Sequence, residues 1–387
     1  MDIVRMRKSF EAVAAHGDEV PLWFYSHLFL SHPETRAMFP VSMAQQRDRL
    51  FGALGHIVTK VDDSEALVPY LQQLGRDHRK FGTQTAHYPA VGASLLATLA
   101  HFAGPDWTPE VEADWTAAYG LVAGVMSGAA DAAADAPASW DADVVAHELR
   151  TPEIAVVRLR PREPYPFSPG QALTLETERR PRLWRTYSIA NAPREDGTLD
   201  LHVQAMDGGP VSLALVRHLE AGDVVRLGPP LGTMTLDPDS ERDLLLVGSG
   251  TGFAPLKAMI EQIAGSAVPR RVDLFLGVGS GREFYDLDDL QRLQQEHGWL
   301  SVVLAATRPD PLEDRTGVEE GHVTDVVVRR GPWPGRDGYV CGSSEMVGST
   351  VARLVDAHVP RHRIRSEVFL PSRPAPTTTP TTTGDPA

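Results

Sequence analysis

Sulfur crosslinks are impossible within this chain: it holds a single cysteine, Cys341. That excludes the disulfide-stapled secreted scaffolds and fits a reducing compartment, the cytoplasm. Positive charge is also scarce. Lys and Arg number 37 against 51 Asp and Glu, a formal net charge of −14, which argues against a nucleic-acid or anionic-membrane binder. No segment approaches the ~18 consecutive apolar residues of a membrane-spanning helix. The opening MDIVRMRKSFEAVAAHGDEV likewise lacks the uninterrupted apolar core of a signal peptide. No long internal repeat is present, and the Pro- and Thr-rich stretch over 371–387 reads as a disordered tail. What remains is a 387-residue chain, 42% hydrophobic, with material for two or three cored domains.

The pattern of that apolar material changes twice. Over 1–135 it recurs at helical spacing, as in Leu50, Leu54, Ile57, Val61 and again in Leu67, Leu71, Leu74, Phe81. With Pro33, Pro69, Pro89 and Pro109 placed to start or separate helices, this region is expected to be all-α, with six or more helices. The acidic, small-residue DAAADAP of 131–137 reads as a frayed helix end running into a linker. Over 140–238 short strands dominate, expected at 154–159, 172–176, 186–190, 199–204 and 224–227, with turn signals such as Asp207-Gly208-Gly209 between them. That density predicts a small antiparallel barrel or sandwich. Over 239–370 strand and helix alternate, with strands expected at 244–247, 272–278, 301–305 and 338–341. Alternation of this kind implies an α/β domain with a parallel sheet covered on both faces.

Chemistry-bearing motifs cluster in the last two regions. Gly248-Ser-Gly250-Thr251-Gly252-Phe-Ala-Pro255 follows an apolar strand and opens a helix predicted over 255–263. Glycines let the backbone approach a pyrophosphate, whose charge the helix N-terminus stabilises. The spacing differs from the dinucleotide fingerprint GxGxxG, and a tight strand-to-helix turn is the competing reading. Upstream, Arg185-Thr-Tyr187-Ser188 in a strand supplies a cation for a diphosphate, a ring to pack on a flavin and a hydroxyl to donate to it. Gly209 and Ser212 precede a helix predicted over 213–219, a second phosphate-suited N-terminus. Cys341 ends an apolar strand at the carboxyl edge, where open α/β sheets bind ligands. In this order the motifs resemble the ferredoxin–NADP reductase-like flavoproteins, over about residues 142–370. The resemblance implies FAD on Arg185, Tyr187, Ser188, Gly209 and Ser212. It further implies the nicotinamide pyrophosphate on Gly248, Gly250, Thr251 and Gly252, with Cys341 near the nicotinamide. Glu367 and Phe369 then belong to the terminal strand, where an aromatic ring lies over the flavin.

In the helical region His78, in LGRDHRKFG, lies four residues after Leu74 and three before Phe81, on the apolar face of its helix. Such a histidine is more often a satisfied core residue, yet haem needs only one proximal imidazole. Tyr25 sits in a helix apolar almost all round, and Gln46 precedes Leu50 and Leu54 at helical spacing. Both need hydrogen-bond partners if buried, either nearby backbone or an iron-bound oxygen. The segments FYSHLF, Met38-Phe39, QQRDRLFGAL, GRDHRKF and HYPAVGASLLATL resemble the globin domain of bacterial flavohaemoglobins over residues 1 to about 130. That resemblance implies His78 as the iron ligand, Tyr25, Gln46 and Leu50 on the distal side, Phe39 wedging the haem and Tyr88 on the proximal side. One departure stands out. Where the family carries a proximal glutamate this chain has Ala130, and the neighbouring Asp131 is expected to fill the role in part.

Together the halves resemble a flavohaemoglobin, which implies haem b, FAD and NADH or NADPH as cofactors. The implied reaction is nitric oxide dioxygenation: electrons pass from NAD(P)H through FAD to haem, and NO plus O2 become nitrate. NO, O2 and NAD(P)H would be its small-molecule partners, with no nucleic acid, no transmembrane segment and no obligate protein partner. Two alternatives remain open: a haem-based oxygen or redox sensor, and a flavin reductase with a globin-like accessory domain. The choice between NADH and NADPH stays open as well. No acidic residue closes the strand 272–278, whereas Ser280 and Arg282 follow it and suit a 2′-phosphate.

Overall fold

The computed structural model describes residues 1–308 and 317–369; the tail expected over 371–387 lies outside them. Over the described residues the chain divides into two compact units, one built on Met1–Ser139 with Pro181–Leu183 and the other on Trp140–Arg180 and the residues from Trp184 to Phe369.

The first unit is helical. It comprises α1 (Ile3–Ala14), α2 (Glu19–Ser31), α3 (Ala44–Lys60), α4 (Ser64–His78), α5 (Tyr88–Ala103) and α6 (Pro109–Asp131), joined by short 3-10 turns. Asp2, Asp63 and Thr108 cap α1, α4 and α6 by accepting backbone N–H groups of the first turn. Met6, Val13, Phe24, Leu28, Leu95, Leu99 and Trp115 fill the main core. Leu67, Leu71 and Met126 form a second cluster between α4 and α6. There the two helices touch backbone to backbone: a Cβ on Gly75 would stand 2.2 Å from the Met126 carbonyl oxygen. Glycine at 75 therefore sets how closely α4 approaches α6, one turn before His78.

The second unit opens with a six-stranded antiparallel sheet, β1 (Trp140–Leu149), β2 (Ile154–Pro161), β3 (Ala172–Thr177), β4 (Arg185–Ser188), β5 (Leu199–Gln204) and β6 (Val224–Leu227), with α7 (Pro210–Arg217) beside it. The strand order is β4-β3-β6-β1-β2-β5. A bridge between Ile189 and Leu201 brings the two edges together, so the sheet is nearly a closed barrel. Its inward residues, among them Leu159, Leu173, Leu175, Leu199 and Leu201, are fully buried. Two sequence expectations shift here. The strand β1 was not foreseen, and α7 begins at Pro210 rather than 213, because a proline at the first helical position loses no hydrogen bond.

The chain then builds β7 (Leu244–Ser249), α8 (Phe253–Ala264), β8 (Val272–Ser280), α9 (Leu287–Glu296), β9 (Leu300–Arg308), β10 (Val318–Glu320), α10 (Val323–Arg330), β11 (Asp337–Ser343), α11 (Ser344–Asp356) and β12 (Ile364–Phe369). All six strands run parallel in the order β10-β9-β8-β7-β11-β12. The strands β7 and β11 are buried nearly throughout, as a sheet covered on both faces requires. Two apolar clusters, one including Leu246, Phe253 and Met259 and the other Val247, Val326 and Leu354, belong to the same sheet. Strand succession runs one way from β7 through β8 to β10 and the other way through β11 to β12. The crevice at the carboxyl ends of β7 and β11 is thus a topological switch point.

Candidate functional site

At that switch point the sequence motifs converge. β7 runs into Gly250, whose φ of +52° favours glycine, and the turn Gly250–Gly252 leads into α8. A Cβ on Gly252 would lie 2.3 Å from the Cys341 carbonyl oxygen at the end of β11, a separation only glycine allows. The bare backbone of this turn and the N-terminus of α8 form a cradle suited to a pyrophosphate.

The barrel supplies the other wall. Arg185 and Tyr187 share one face of β4, and burial raises the Tyr187 phenol well above its ordinary range. The next residue, Ser188, is buried and its hydroxyl donates toward the Glu367 carboxylate at 3.5 Å. Glu367 lies opposite Cys341 in the β11–β12 register. Burial lifts the Glu367 carboxyl to about 7. Burial, reinforced by the Glu367 charge, also raises Cys341, which is therefore a neutral thiol. Phe369 ends the same strand, half-buried. The structure so brings Ser188, Cys341 and Glu367 together across the seam between barrel and parallel sheet. Ser212 behaves otherwise. Its hydroxyl donates to the Gly209 carbonyl at 3.1 Å and accepts the Met206 N–H at 3.1 Å, holding the turn before α7.

At the end of β8, Ser280 closes the strand and Arg282 follows it. Sequence reasoning overlooked their neighbour: the Glu283 carboxylate accepts the Gly279 N–H at 3.1 Å, which puts an acid at this strand end after all.

In the helical unit Tyr25 is buried among rings, edge-on to Phe39 at 5.4 Å and tilted against Phe29 at 5.7 Å. Its hydroxyl donates to the Gln46 backbone carbonyl at 3.4 Å, and burial pushes the phenol up to about 12. Leu50 packs against the same core from α3. On α4 the His78 Nδ1–H donates to the Leu74 carbonyl at 2.7 Å, one turn back. This fixes the ring and leaves Nε2 as the nitrogen available for a ligand. Burial lowers the imidazole pKa, so the ring is neutral. The Arg49 guanidinium feels both the Tyr25 phenol and the charge of Asp77, the residue before His78. Tyr88 and Asp131 line a cleft that reaches His78 together with Gly75, Thr83 and Thr85. Burial first, then the Asp131 charge, raises the Tyr88 phenol.

Three domain families match the chain in succession: globin over residues 22–126, oxidoreductase FAD-binding domain over 141–236 and oxidoreductase NAD-binding domain over 246–352. These define an NAD(P)H-dependent oxidoreductase in which a globin precedes a flavin reductase, and they make haem, FAD and a nicotinamide dinucleotide its cofactors. A flavohemoprotein from Deinococcus radiodurans is 29% identical, the match covering 95% of this chain and 96% of that one. One from Rhodopirellula baltica is 27% identical over 93% and 94%. The solved flavohemoglobin of Malassezia yamatoensis superposes with a TM-score of 0.78 at 19% identity, covering 95% of this chain and 98% of its own. The chain thus carries, over nearly the whole length of these flavohemoproteins, the same succession of globin, FAD-binding and NAD-binding domains. Among the described residues no helix is long and apolar enough to cross a membrane.

The residues fit these groups. One imidazole with its second nitrogen committed suits haem. A β4 face carrying an arginine and a half-buried tyrosine suits a flavin. The glycine turn against Cys341 leaves room for a diphosphate and for nothing bulkier on the protein side.

Proposed function

We propose that this chain is a nitric oxide dioxygenase that draws its electrons from NAD(P)H. The observation that carries the reading is His78: its Nδ1–H is committed to Leu74 while its Nε2 is left for iron. When bound, haem supplies the iron at which O2 and NO combine, while FAD passes on, one at a time, the electrons that NAD(P)H delivers in pairs.

The chain's own residues set the conditions for that chemistry. Tyr25, a neutral phenol across the working pH range, is a donor for an anionic oxygen. Its weak 3.4 Å bond to the Gln46 carbonyl is easily exchanged for a charge-assisted one. The Gln46 side chain is assigned as a second distal donor, Leu50 as an apolar guard and Phe39 as the wedge beside the macrocycle. On the proximal side the Leu74 carbonyl orients the imidazole, and Asp131 acts through Tyr88 rather than directly on His78. In the reductase half Arg185, Tyr187 and Ser188, with Gly209 and Ser212 framing a turn, hold FAD. Gly248, Gly250, Thr251 and Gly252 hold the dinucleotide, and Phe369 covers the flavin. Cys341 and Glu367 flank the nicotinamide, where the Ser188 hydroxyl donates to the Glu367 carboxylate and positions it. NO and O2 are the substrates, no protein partner is required, and NAD(P)H dependence assigns the reaction to the cytoplasm.

The test is spectroscopic and kinetic. The purified protein should show a Soret band that His78→Ala abolishes, and should consume NO aerobically at the expense of NAD(P)H. Yellow protein without porphyrin, even after haem supplementation, would leave only a flavin reductase.

A further inference from the structure

A buried polar cluster between barrel and parallel sheet belongs to neither cofactor cradle. Arg150, just after β1, and His202, on β5, come from the barrel; Lys257 on α8, Tyr285, Asp286 and Asp289 come from the other side. Asp286 is the centre. Its carboxylate has Arg150 Nε at 2.6 Å, His202 Nε2 at 3.6 Å and Lys257 Nζ at 3.7 Å. Lys257 also reaches Asp289 at 3.0 Å, and His202 Nδ1 bonds the Tyr285 hydroxyl at 2.9 Å.

Three features show that Asp286 serves this cluster rather than its own helix. It stands at the N-cap of α9, where an aspartate ordinarily accepts a first-turn N–H, yet it makes no such bond. Its φ is +54°, a left-handed conformation that a non-glycine residue adopts only when its surroundings impose it. And its buried carboxylate faces Arg150 and Lys257 rather than the first-turn N–H groups of α9. A strained, uncapped and desolvated acid is retained because it joins two bodies. Arg150 belongs to the barrel that carries β4. Lys257 sits on α8 little more than one turn after Gly252, and Phe253, which follows that glycine, packs near both His202 and Tyr285.

We propose that Asp286 is the pin of an ionic seam that sets the angle between the flavin barrel and the nicotinamide sheet, and so the distance over which hydride passes. Asp286, Arg150 and Lys257 are positioning residues: they act through α8 and β5, apart from the Gly250–Gly252 turn and the Arg185–Tyr187 face of β4. The inference rests on the hydride site lying at Ser188, Cys341 and Glu367.

The test uses the full chain loaded with haem and FAD. In Asp286→Asn and, separately, Arg150→Gln, which alters a partly exposed side chain at the barrel end, anaerobic reduction of the flavin by NADH should slow by about 10- to 100-fold. The long-wavelength absorbance of oxidised nicotinamide stacked on reduced flavin should weaken in step. The double variant should be no slower than the worse single one, because both remove the same contact. Haem reduction from photochemically reduced flavin should be unchanged. Variants that unfold at lower temperature yet reduce flavin at the parent rate, with the stacking absorbance intact, would overturn the proposal and leave a purely structural ion pair. If Glu367→Gln leaves hydride transfer untouched while the seam variants slow it, the seam stands and the location of the hydride site is what fails.

Discussion

Gly252→Ala tests the geometry of the dinucleotide turn most directly. The new methyl would start 2.3 Å from the Cys341 carbonyl oxygen, whereas real Cβ contacts essentially never fall below 3.0 Å. The turn and the end of β11 must therefore part by at least 0.7 Å, and both are backbone, so no side chain can swing aside. Overpacking of this kind costs roughly 1–3 kcal/mol, which in a unit of this size lowers Tm by about 2–4 °C per kcal/mol. The kinetic effect should be larger than the thermodynamic one. Displacement by most of an ångström at a site of hydride transfer costs on the order of 10²-fold in rate. Anaerobic stopped-flow mixing with NADH, followed by flavin bleaching, measures it, and FAD content should stay stoichiometric because the barrel is not touched. A rate within about threefold of the parent protein would refute the close approach of Gly252 to Cys341, since no 1 Å displacement is then felt.

Other expectations follow from the same geometry. Glu367, held at about 7 against an ordinary 4.5, keeps its proton in the folded state over a window where the unfolded chain releases it. Its own contribution to the stability of the second unit should then be greatest below pH 4.5 and decline as pH rises through 7, by about 3 kcal/mol at most. Glu367→Gln should flatten that slope in pH-dependent denaturation and remove any ionisation near neutrality from the hydride-transfer profile. Asp131→Ala should leave the iron–histidine stretching frequency unchanged in resonance Raman spectra, because Leu74 already takes the Nδ1 proton; a clear downshift would show the carboxylate acting on the imidazole. The Glu283 carboxylate at the end of β8 disfavours a 2′-phosphate, so NADH should give the higher kcat/KM. Glu283→Gln should narrow the gap to NADPH, and a parent enzyme that prefers NADPH would contradict this.

Much of the fold was legible because burial writes itself into periodicity. The doubly covered strands β7 and β11 read as continuous apolar runs, and the helices around Leu50 and Leu71 as stripes. The strand β1 escaped notice although Trp140, Ala142 and Val144 alternate as buried residues, because Asp141 and Asp143 between them continue the acidic character of the linker. The three-residue β10 is too short for any period to declare itself. At the site, the types Ser188, Cys341 and Glu367 could be named from motifs, but their meeting depends on the pairing of β11 with β12 and on the docking of the barrel edge. The Leu74 carbonyl that orients His78 is invisible to sequence, since every residue carries one. The Asp286 seam did leave signals. His202 sits between buried Leu201 and Val203, and Lys257 interrupts an apolar helix. A polar residue in such company is stabilised only with a partner, and each partner lay some 30 to 80 positions away in the chain.

Cys341 has a further consequence. The chain's one thiol is wholly enclosed and stays protonated, so a maleimide or disulfide reagent can reach it only while the carboxyl edge of the parallel sheet is briefly open. Its labelling rate is a built-in clock for the breathing of that edge, and a dinucleotide seated on the adjacent turn should make the clock run slow.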